Sequence, residues 1–394
     1  MATVRLTYFD GRGRAEGVRL LLAACLFQFT ETLLQERQEY EKLLEDGKLM
    51  FHQVPLLEID GLELVQTPAI VRYVARKGGL YGHSNEEKSK WDYAMTAPAG
   101  VEKNDFDSEY RRLSEELHQL RLEDKKAELR REIDRLKVKL TCEQDDHVNR
   151  EVNQSEGQRR QDSGANGSGQ QLGNMATVRL TYFDGRGLAE GVRLLLAACG
   201  IEFTETLLQE RQEYEKLLED GKLIFHQVPL LEIDGLELVQ TPAIVRYVAR
   251  KGGLDGHSNE EKSKIDMFYE GTRDFYSYFL KIGFLDPKEV LATAKAKALP
   301  RYLPIFDQVL KKNGTGFLVG DSMSLADIGL IEVLLSVTEY FGEETLSDYP
   351  SLKAFKSMMV SQERIAAFLK GPQKKRGNTD AYVATCRTVL KLDI

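Results

Sequence analysis

The sequence lacks a long apolar run and a recognisable export signal. No stretch of its 394 residues approaches the roughly 18 to 20 apolar residues that a membrane-spanning helix needs. The N-terminal residues MATVRLTYFD also lack the apolar core of a signal peptide. We therefore expect no membrane span and a cytosolic location.

Basic residues are fewer than acidic residues. Lys and Arg total 54 against 62 Asp and Glu, which gives a formal net charge of -8. Nucleic-acid backbones are bound by concentrated Lys and Arg, so we expect no nucleic-acid partner.

Cysteine is sparse and scattered. Cys25, Cys142, Cys199 and Cys386 form no CxxC pair and no Cys/His cluster at zinc-ligand spacing. This predicts that the protein holds no metal, and it disfavours disulfide exchange as the activity.

The middle of the chain lacks the residues of an ordinary core. Residues 101–156 contain neither Gly nor Pro, and residues 111–181 contain no aromatic residue. Leu and Ile recur there at four-three spacing between charged residues, which favours a long helix. A short coiled coil and a solvated helix without a partner both remain open. Residues 154–174 are rich in Gln, Gly, Ser and Asn, as in a flexible linker.

A long internal repeat is present on either side of that segment. Residues 1–90, the first copy, recur as residues 175–264, the second copy, at a constant offset of 174. Six pairs of positions differ: Arg14 and Leu188, Leu26 and Gly200, Phe27 and Ile201, Gln28 and Glu202, Met50 and Ile224, Tyr81 and Asp255. Two long copies indicate a domain duplication, since solenoid units are shorter and more numerous.

Each copy has the pattern of a small α/β unit. Alternating apolar residues predict a first strand, and a Gly-rich turn then leads to an apolar helix and a second strand. VPLLEIDGLELV predicts a hairpin, and TPAIVRYVARKGG predicts a helix with Thr at its N-cap. The expected order is βαβ and then ββα, and the second copy alone continues into mostly helical patterns.

Together these motifs carry a resemblance. Residues 175–394 resemble a complete subunit of the soluble glutathione transferases, closest to the alpha class, through LTYFDGRG, FHQVP, VQT, IDMFYEG, RYLP and SLADIGL. The resemblance implies a thioredoxin-like α/β domain, present twice, and an all-α C-terminal domain. The expected divisions are 1–90, 91–174, 175–256 and 257–394.

The resemblance also implies a glutathione site in the second copy. Tyr182 is then the catalytic hydrogen-bond donor to the thiol, and a cis peptide bond precedes Pro229. The residues implied to bind glutathione are Tyr182, Arg193, Lys222, Gln227, Val228, Pro229, Gln240, Thr241, Asp274 and Arg301. From the residues alone, Tyr182 is equally compatible with a packed strand tyrosine, and Thr241 with a helix cap.

Some implied roles concern a second subunit and a second substrate. Family members are usually dimers, so we expect a homodimer in which Asp274 and Arg301 reach the neighbouring site and Phe225 inserts into the partner. The implied electrophile pocket contains Phe183, Leu280 and Phe284, with residues 383–390 nearby. Solvated charges and ordinary core packing are the alternative interpretations.

The two copies depart from the family pattern in opposite ways. Leu188 replaces an arginine that supports the thiolate in alpha-class members, and Leu218 replaces a commonly basic residue; Arg193 or Lys222 could compensate. The first copy retains a glutathione side and lacks a helical domain to follow it. Its retained residues are Tyr8, Arg14, Gln53, Val54, Gln66 and Thr67.

The function implied by the resemblance is conjugation of reduced glutathione to small hydrophobic electrophiles, as in detoxification. Glutathione is then a co-substrate, and no bound metal or redox cofactor is expected. Peroxide reduction and isomerisation use the same thiolate and stay open. The alternative is a glutathione-binding or structural protein with weak or no catalysis.

Overall fold

Both copies of the repeat fold into the same mixed four-stranded sheet. The computed structural model describes residues 4–94 and 178–392, so the predicted coiled coil and linker lie outside the described residues. The strand orders are β2-β1-β3-β4 and β6-β5-β7-β8. In each sheet the first two strands pair in parallel and the other neighbours pair antiparallel.

The predicted βαβ and ββα order is confirmed in both copies, with one further helix between the two halves. The elements of the first copy are β1 (Val4–Phe9), α1 (Glu16–Ala24), β2 (Phe29–Leu34), α2 (Arg37–Glu45), β3 (Leu56–Ile59), β4 (Leu62–Leu64), α3 (Thr67–Gly78) and α4 (Asn85–Ala94). Those of the second copy are β5 (Val178–Tyr182), α5 (Glu190–Ala198), β6 (Phe203–Leu207), α6 (Arg211–Glu219), β7 (Leu230–Ile233), β8 (Leu236–Val239) and α7 (Thr241–Gly252).

The predicted helical continuation is also confirmed. It consists of α8 (Asn259–Tyr276), α9 (Pro287–Thr293), α10 (Leu299–Asn313), α11 (Leu325–Phe341), α12 (Pro350–Ser361), α13 (Glu363–Lys370) and α14 (Asp380–Leu390). A short π-helical segment, Ala294–Ala298, joins α9 to α10.

One predicted helix start is wrong by a residue. The helices α3 and α7 begin at Thr67 and Thr241, and the N-cap positions belong to Gln66 and Gln240. Both glutamines have positive φ angles, 69° and 66°. This backbone turn places the threonine inside the helix, so its side chain does not act as the N-cap.

The helical region covers the sheet unit of the second copy and leaves that of the first open. Helix α5 packs on α11 and α13. Phe183 and Leu194 are each 1% exposed, whereas the matching Phe9 and Leu20 are 48% and 49% exposed. Matching residues of the two copies are thus buried to different extents. The helices that bury those of the second copy are formed by residues that follow that copy alone.

The first copy packs against other helices of the chain, through its own helices α3 and α4. Helix α3 packs on α8, and α4 packs on α7, within one compact unit. Matched arginines cross this internal interface. Arg76 donates to Asn259, Ser263 and Asp266, and Arg250 donates to Asn85, Ser89 and Asp92. Each acceptor differs from its counterpart by 174, the repeat offset, as in a twofold-symmetric contact between two subunits.

An aromatic side chain anchors the same interface. Phe51 of the first copy is fully buried, with ring centroids 6.5 Å from Phe268, 6.3 Å from Tyr302 and 5.7 Å from Phe306. A Cβ atom at Gly271 would overlap the Phe51 ring, so α8 leaves room for it there. The Arg301 guanidinium also donates to the Phe51 carbonyl.

We expect Phe51→Ala to loosen this interface strongly, because truncating a buried Phe costs about 3–5 kcal/mol. Hydrogen exchange should show lost protection in α3, α8 and α10. Phe225→Ala, at the matching position of the second copy, is the control; Phe225 is only partly buried, so its truncation should cost less. Equal losses of protection in the two variants would contradict the anchoring role of Phe51.

Candidate functional site

Tyr182 lies at the carboxyl end of β5, where the following turn folds back over its hydroxyl. The Leu188 backbone N–H donates to the Tyr182 Oη at 3.0 Å. Gly187, at φ 40°, has no room for a Cβ atom, which would overlap this oxygen. The turn therefore fixes the hydroxyl by a backbone donor, and the glycine permits the close approach.

A second tyrosine covers the first. Tyr382 of α14 lies within hydrogen-bonding reach of the Tyr182 hydroxyl and of the Cys386 thiol. Tyr382 is 5% exposed and Tyr182 is 6% exposed. The C-terminal helix thus shields the Tyr182 hydroxyl from solvent.

Burial controls the ionisation of this cluster. It raises the pKa of Tyr182 above the usual value of 10.0, although the Leu188 N–H, Tyr382 and Arg193 oppose the shift. It also raises the pKa of the Cys386 thiol to about 11. Both groups are therefore protonated at neutral pH.

Arg193 is the cation beneath Tyr182. It is fully buried, and its Cζ lies 5.9 Å from the centre of the Tyr182 ring. It pairs with Glu205 and Glu190 at 2.6 and 3.2 Å, and it donates to the Gly185 carbonyl. These partners hold the guanidinium under the ring face.

Lys222 lies elsewhere. Its ammonium group pairs with Glu232 at 2.7 Å and Glu237 at 2.9 Å on the neighbouring hairpin, and these hydrogen bonds raise its pKa. Of the two cations suggested as replacements at position 188, Arg193 is the one in contact with Tyr182.

The structure brings the remaining second-copy residues together beside the turn. The Val228–Pro229 peptide bond is cis, as the resemblance implied. Gln240 Nε2 donates to Gln227 Oε1 at 2.9 Å, and Thr241 Oγ1 donates to the Leu188 carbonyl at 3.3 Å. The start of α7 is thereby linked to the turn that holds Tyr182.

Asp274 and Arg301 lie with the first copy. Gln53 Nε2 and Gln66 Nε2 both donate to Asp274 Oδ2, at 3.2 and 2.9 Å. The Arg301 guanidinium donates a hydrogen bond to the Phe51 carbonyl of that copy. The resemblance implied that these two residues reach a neighbouring subunit, whereas the structure places them against the first copy of the same chain.

The first copy repeats the turn geometry in a more open setting. The Arg14 N–H donates to the Tyr8 Oη at 3.0 Å, and Thr67 Oγ1 donates to the Arg14 carbonyl at 3.5 Å. Val54 precedes a cis proline as Val228 does. Tyr8 is partly exposed and Arg14 is exposed, because no helix equivalent to α14 is described over them.

The implied electrophile pocket is filled in this structure. The Tyr382 ring lies edge-on between Phe183 and Phe284, at centroid distances of 6.4 and 6.1 Å. Leu280 and Gly187 line a neighbouring space of about 10 Å³, which is near the lower limit for one water molecule. Access for a second substrate thus requires movement of Tyr382.

Tyr382 was missed from the sequence, although a signal was present. The buried residues of α14 are Tyr382, Val383, Cys386 and Val389. Their spacing marks one face of a helix. The segment singled out from the sequence, 383–390, begins one residue after Tyr382 and so leaves it out. Leu218, which replaces a commonly basic residue of the family, is partly buried against the core. It therefore places no cation near Tyr182.

In the described ranges no helix is long and apolar enough to cross a membrane. Within the same residues, no group of three or more His, Cys, Asp or Glu side chains is placed to hold a metal ion.

The fold and site define a class: a thioredoxin-like sheet unit with a tyrosine at the end of its first strand, joined to an all-helical domain. The family model described as Glutathione S-transferase, N-terminal domain matches residues 4–76 and 178–250. The model described as Glutathione S-transferase, C-terminal domain matches residues 273–372. The chain belongs to the glutathione S-transferase family.

Individual relatives correspond to about half of this chain. Glutathione S-transferase A4 of Mus musculus is 45% identical over 222 residues, which is 55% of this chain and 99% of the relative. Glutathione S-transferase 3 of Gallus gallus is 45% identical over 217 residues, covering 54% and 94%. Among solved structures, the glutathione S-transferase from Ascaris lumbricoides matches at 29% identity and a TM-score of 0.45, covering 52% of this chain and 100% of its own.

We expect Tyr382→Ala to open an apolar cavity beside Tyr182, because the ring fills the space between Phe183 and Phe284. Binding of 8-anilino-1-naphthalenesulfonate, followed by fluorescence, should rise several-fold. Tyr382→Phe keeps the ring and should bind the dye like the unaltered protein. A rise of equal size in both variants would show that the hydroxyl, and not the ring, closes the pocket.

Proposed function

We propose that this chain conjugates the thiolate of reduced glutathione to small hydrophobic electrophiles, with Tyr182 as the catalytic donor. The observation that carries this proposal is the fixed Tyr182 hydroxyl. A tyrosine hydroxyl has one donor hydrogen and two acceptor lone pairs. Because the Leu188 N–H donates to this oxygen, that hydrogen bond does not use the Tyr182 hydrogen, which we assign to a thiolate.

The chemistry needs such a donor because the thiolate, not the thiol, is the nucleophile. A thiol of pKa about 8.5 is only about 3% ionised at pH 7. Lowering that pKa by about two units requires about 2.7 kcal/mol of preferential stabilisation of the thiolate. One charge-assisted hydrogen bond together with a nearby cation is of this size.

Two features of the site favour the thiolate. The raised pKa of Tyr182 keeps its hydroxyl protonated, so it can donate at neutral pH. The buried Arg193 guanidinium lies beneath the ring, although Glu205 and Glu190 neutralise part of its charge. We assign to Arg193 part of the electrostatic role of the arginine that Leu188 replaces.

Glutathione binding falls to the residues around the start of α7. We propose that the backbone beside the cis proline, at Val228 and Pro229, pairs with the cysteinyl part. Gln240 and Thr241 precede and begin a helix, whose N-terminal N–H groups attract a carboxylate. Gln227 supports Gln240 by their side-chain hydrogen bond. A glutathione contact of Lys222 stays a prediction, since its ammonium pairs with the hairpin carboxylates.

The second substrate would enter where Tyr382 now lies. Phe183, Leu280 and Phe284 offer an apolar lining for it. Peroxide reduction and isomerisation with glutathione would use the same thiolate and stay alternatives.

A glutathione-binding protein with weak catalysis is the second candidate. The missing cation favours it: Leu188 is 41% exposed beside the hydroxyl. The filled pocket favours it as well, because a displaced Tyr382 is a precondition for conjugation.

The cytosolic location stays a prediction, whereas the internal interface argues against the homodimer that the resemblance implied. The internal interface supports a different arrangement, in which residues 4–94 take the place that a second copy would otherwise fill. We propose that one chain carries both halves of this twofold-like contact.

We expect Tyr182→Phe to lower kcat for conjugation to 1-chloro-2,4-dinitrobenzene about 100-fold, the usual effect of removing one preorganised donor. Tyr8→Phe removes the same hydroxyl from the uncovered copy and is the matched control, with little effect expected. Glutathione binding without turnover in the unaltered protein would favour the second candidate. Unchanged turnover in Tyr182→Phe would refute the assignment of Tyr182.

A further inference from the structure

Arg72 of α3 and Arg246 of α7 are matching residues of the repeat whose contacts differ at one atom. Each Nε pairs with an aspartate, Arg72 with Asp92 at 2.7 Å and Arg246 with Asp266 at 2.8 Å. Each Nη1 donates to the carbonyl of the proline four residues earlier, at 3.0 Å. Arg246 Nη2 pairs with Glu270 at 2.6 Å, whereas Arg72 Nη2 has no acceptor among the described residues.

The sequence accounts for this difference. Continued along the chain, the repeat offset of 174 matches Thr96 to Glu270. Thr96 lies outside the described residues. The first copy thus has an uncharged, shorter residue where the second copy has a carboxylate. Glu270 does not replace it for Arg72, because its Oε1 lies 2.6 Å from Arg246 Nη2 and 3.3 Å from Arg72 Nη1.

Positive charge exceeds negative charge in this cluster. Among the described residues, its ion pairs join four guanidinium groups to three carboxylates: Arg72, Arg76, Arg246 and Arg250 to Asp92, Asp266 and Glu270. Arg72 is fully buried. Burial and the charge of Arg246 oppose the ionisation of Arg72, although nearby carboxylates keep its pKa above the ordinary value. A buried cationic donor without an acceptor is costly, so the cluster favours a further negative charge.

A cavity in the same interface gives solutes access to the cluster. Its volume is about 310 Å³, and its lining includes Arg76, Arg246, Arg250 and Asp266. Ions that enter from solvent therefore meet the guanidinium groups that surround the missing carboxylate.

We propose that Arg72 forms part of a binding site for a small monovalent anion, a halide or a short carboxylate, which replaces the carboxylate that the first copy lacks. The anion accepts from Arg72 Nη2 as Glu270 accepts from Arg246 Nη2. This inference does not depend on the chemistry at Tyr182. It assigns a ligand of its own to the interface between the two copies.

Chlorine nuclear magnetic resonance of the full chain in sodium chloride tests the proposal, because exchange of chloride with a protein site broadens the chloride line. We expect an excess line width that falls when acetate or bromide is added. Thr96→Glu supplies the carboxylate from the chain itself and should lower the excess several-fold. Thr96→Val is the matched control, and it should leave the excess unchanged because it adds no charge.

Hydrogen exchange in α3 provides a second measurement. Chloride is varied at constant ionic strength with sodium methanesulfonate, a larger anion, so that screening stays the same. At a chloride concentration ten times the Kd, binding to the closed state alone should lower the equilibrium constant of local opening about 11-fold. In Thr96→Glu, we expect equal protection in the two salts.

Three outcomes would overturn the site. The first is a chloride line that the unaltered protein and Thr96→Glu broaden equally. The second is an excess line width that Thr96→Val lowers as much as Thr96→Glu, since the added charge would then have no part in it. The third is protection of α3 that is independent of chloride in the unaltered protein, as expected if Arg72 Nη2 binds water alone.

Discussion

Insertion of Phe51 between α8 and α10 is the contact on which the arrangement of this chain depends. The ring is fully buried against Phe268, Tyr302 and Phe306, at a point where Gly271 leaves space for it. This contact holds the first copy against the helical region and brings Gln53 and Gln66 to Asp274. A unit of 90 residues that buries too little apolar surface alone thus gains a large packed face.

Buried charge gives the same interface its specificity. Arg76 and Arg250 reach across it to matching Asn, Ser and Asp residues. Although burial opposes ionisation, the charges of Arg246, Arg76 and Arg72 hold the pKa of Asp266 well below its ordinary value. Such clusters add little net stability but penalise misalignment, because a displaced partner leaves a buried charge unpaired.

Much of the fold could be predicted from the sequence, since strand alternation, the Asp-Gly hairpin and helical periodicity are local signals. The positions of Tyr182, Gln240 and Thr241 followed from motifs within one copy. The partners of Asp274 did not, because either copy offers the same pair of glutamines and only packing decides between them. The role of Tyr382 could not be predicted for a similar reason. Its spacing indicates the buried face of a helix, but its placement over Tyr182 depends on the path of the whole C-terminal region.

The central claim is that the twofold-like interface lies within one chain. Sedimentation velocity of the purified full chain at micromolar concentration measures this directly. The account predicts a single species with the mass of one chain, 44.7 kDa. A stable species of twice that mass would contradict it, because the interface assigned here to residues 4–94 would then be open to a second copy.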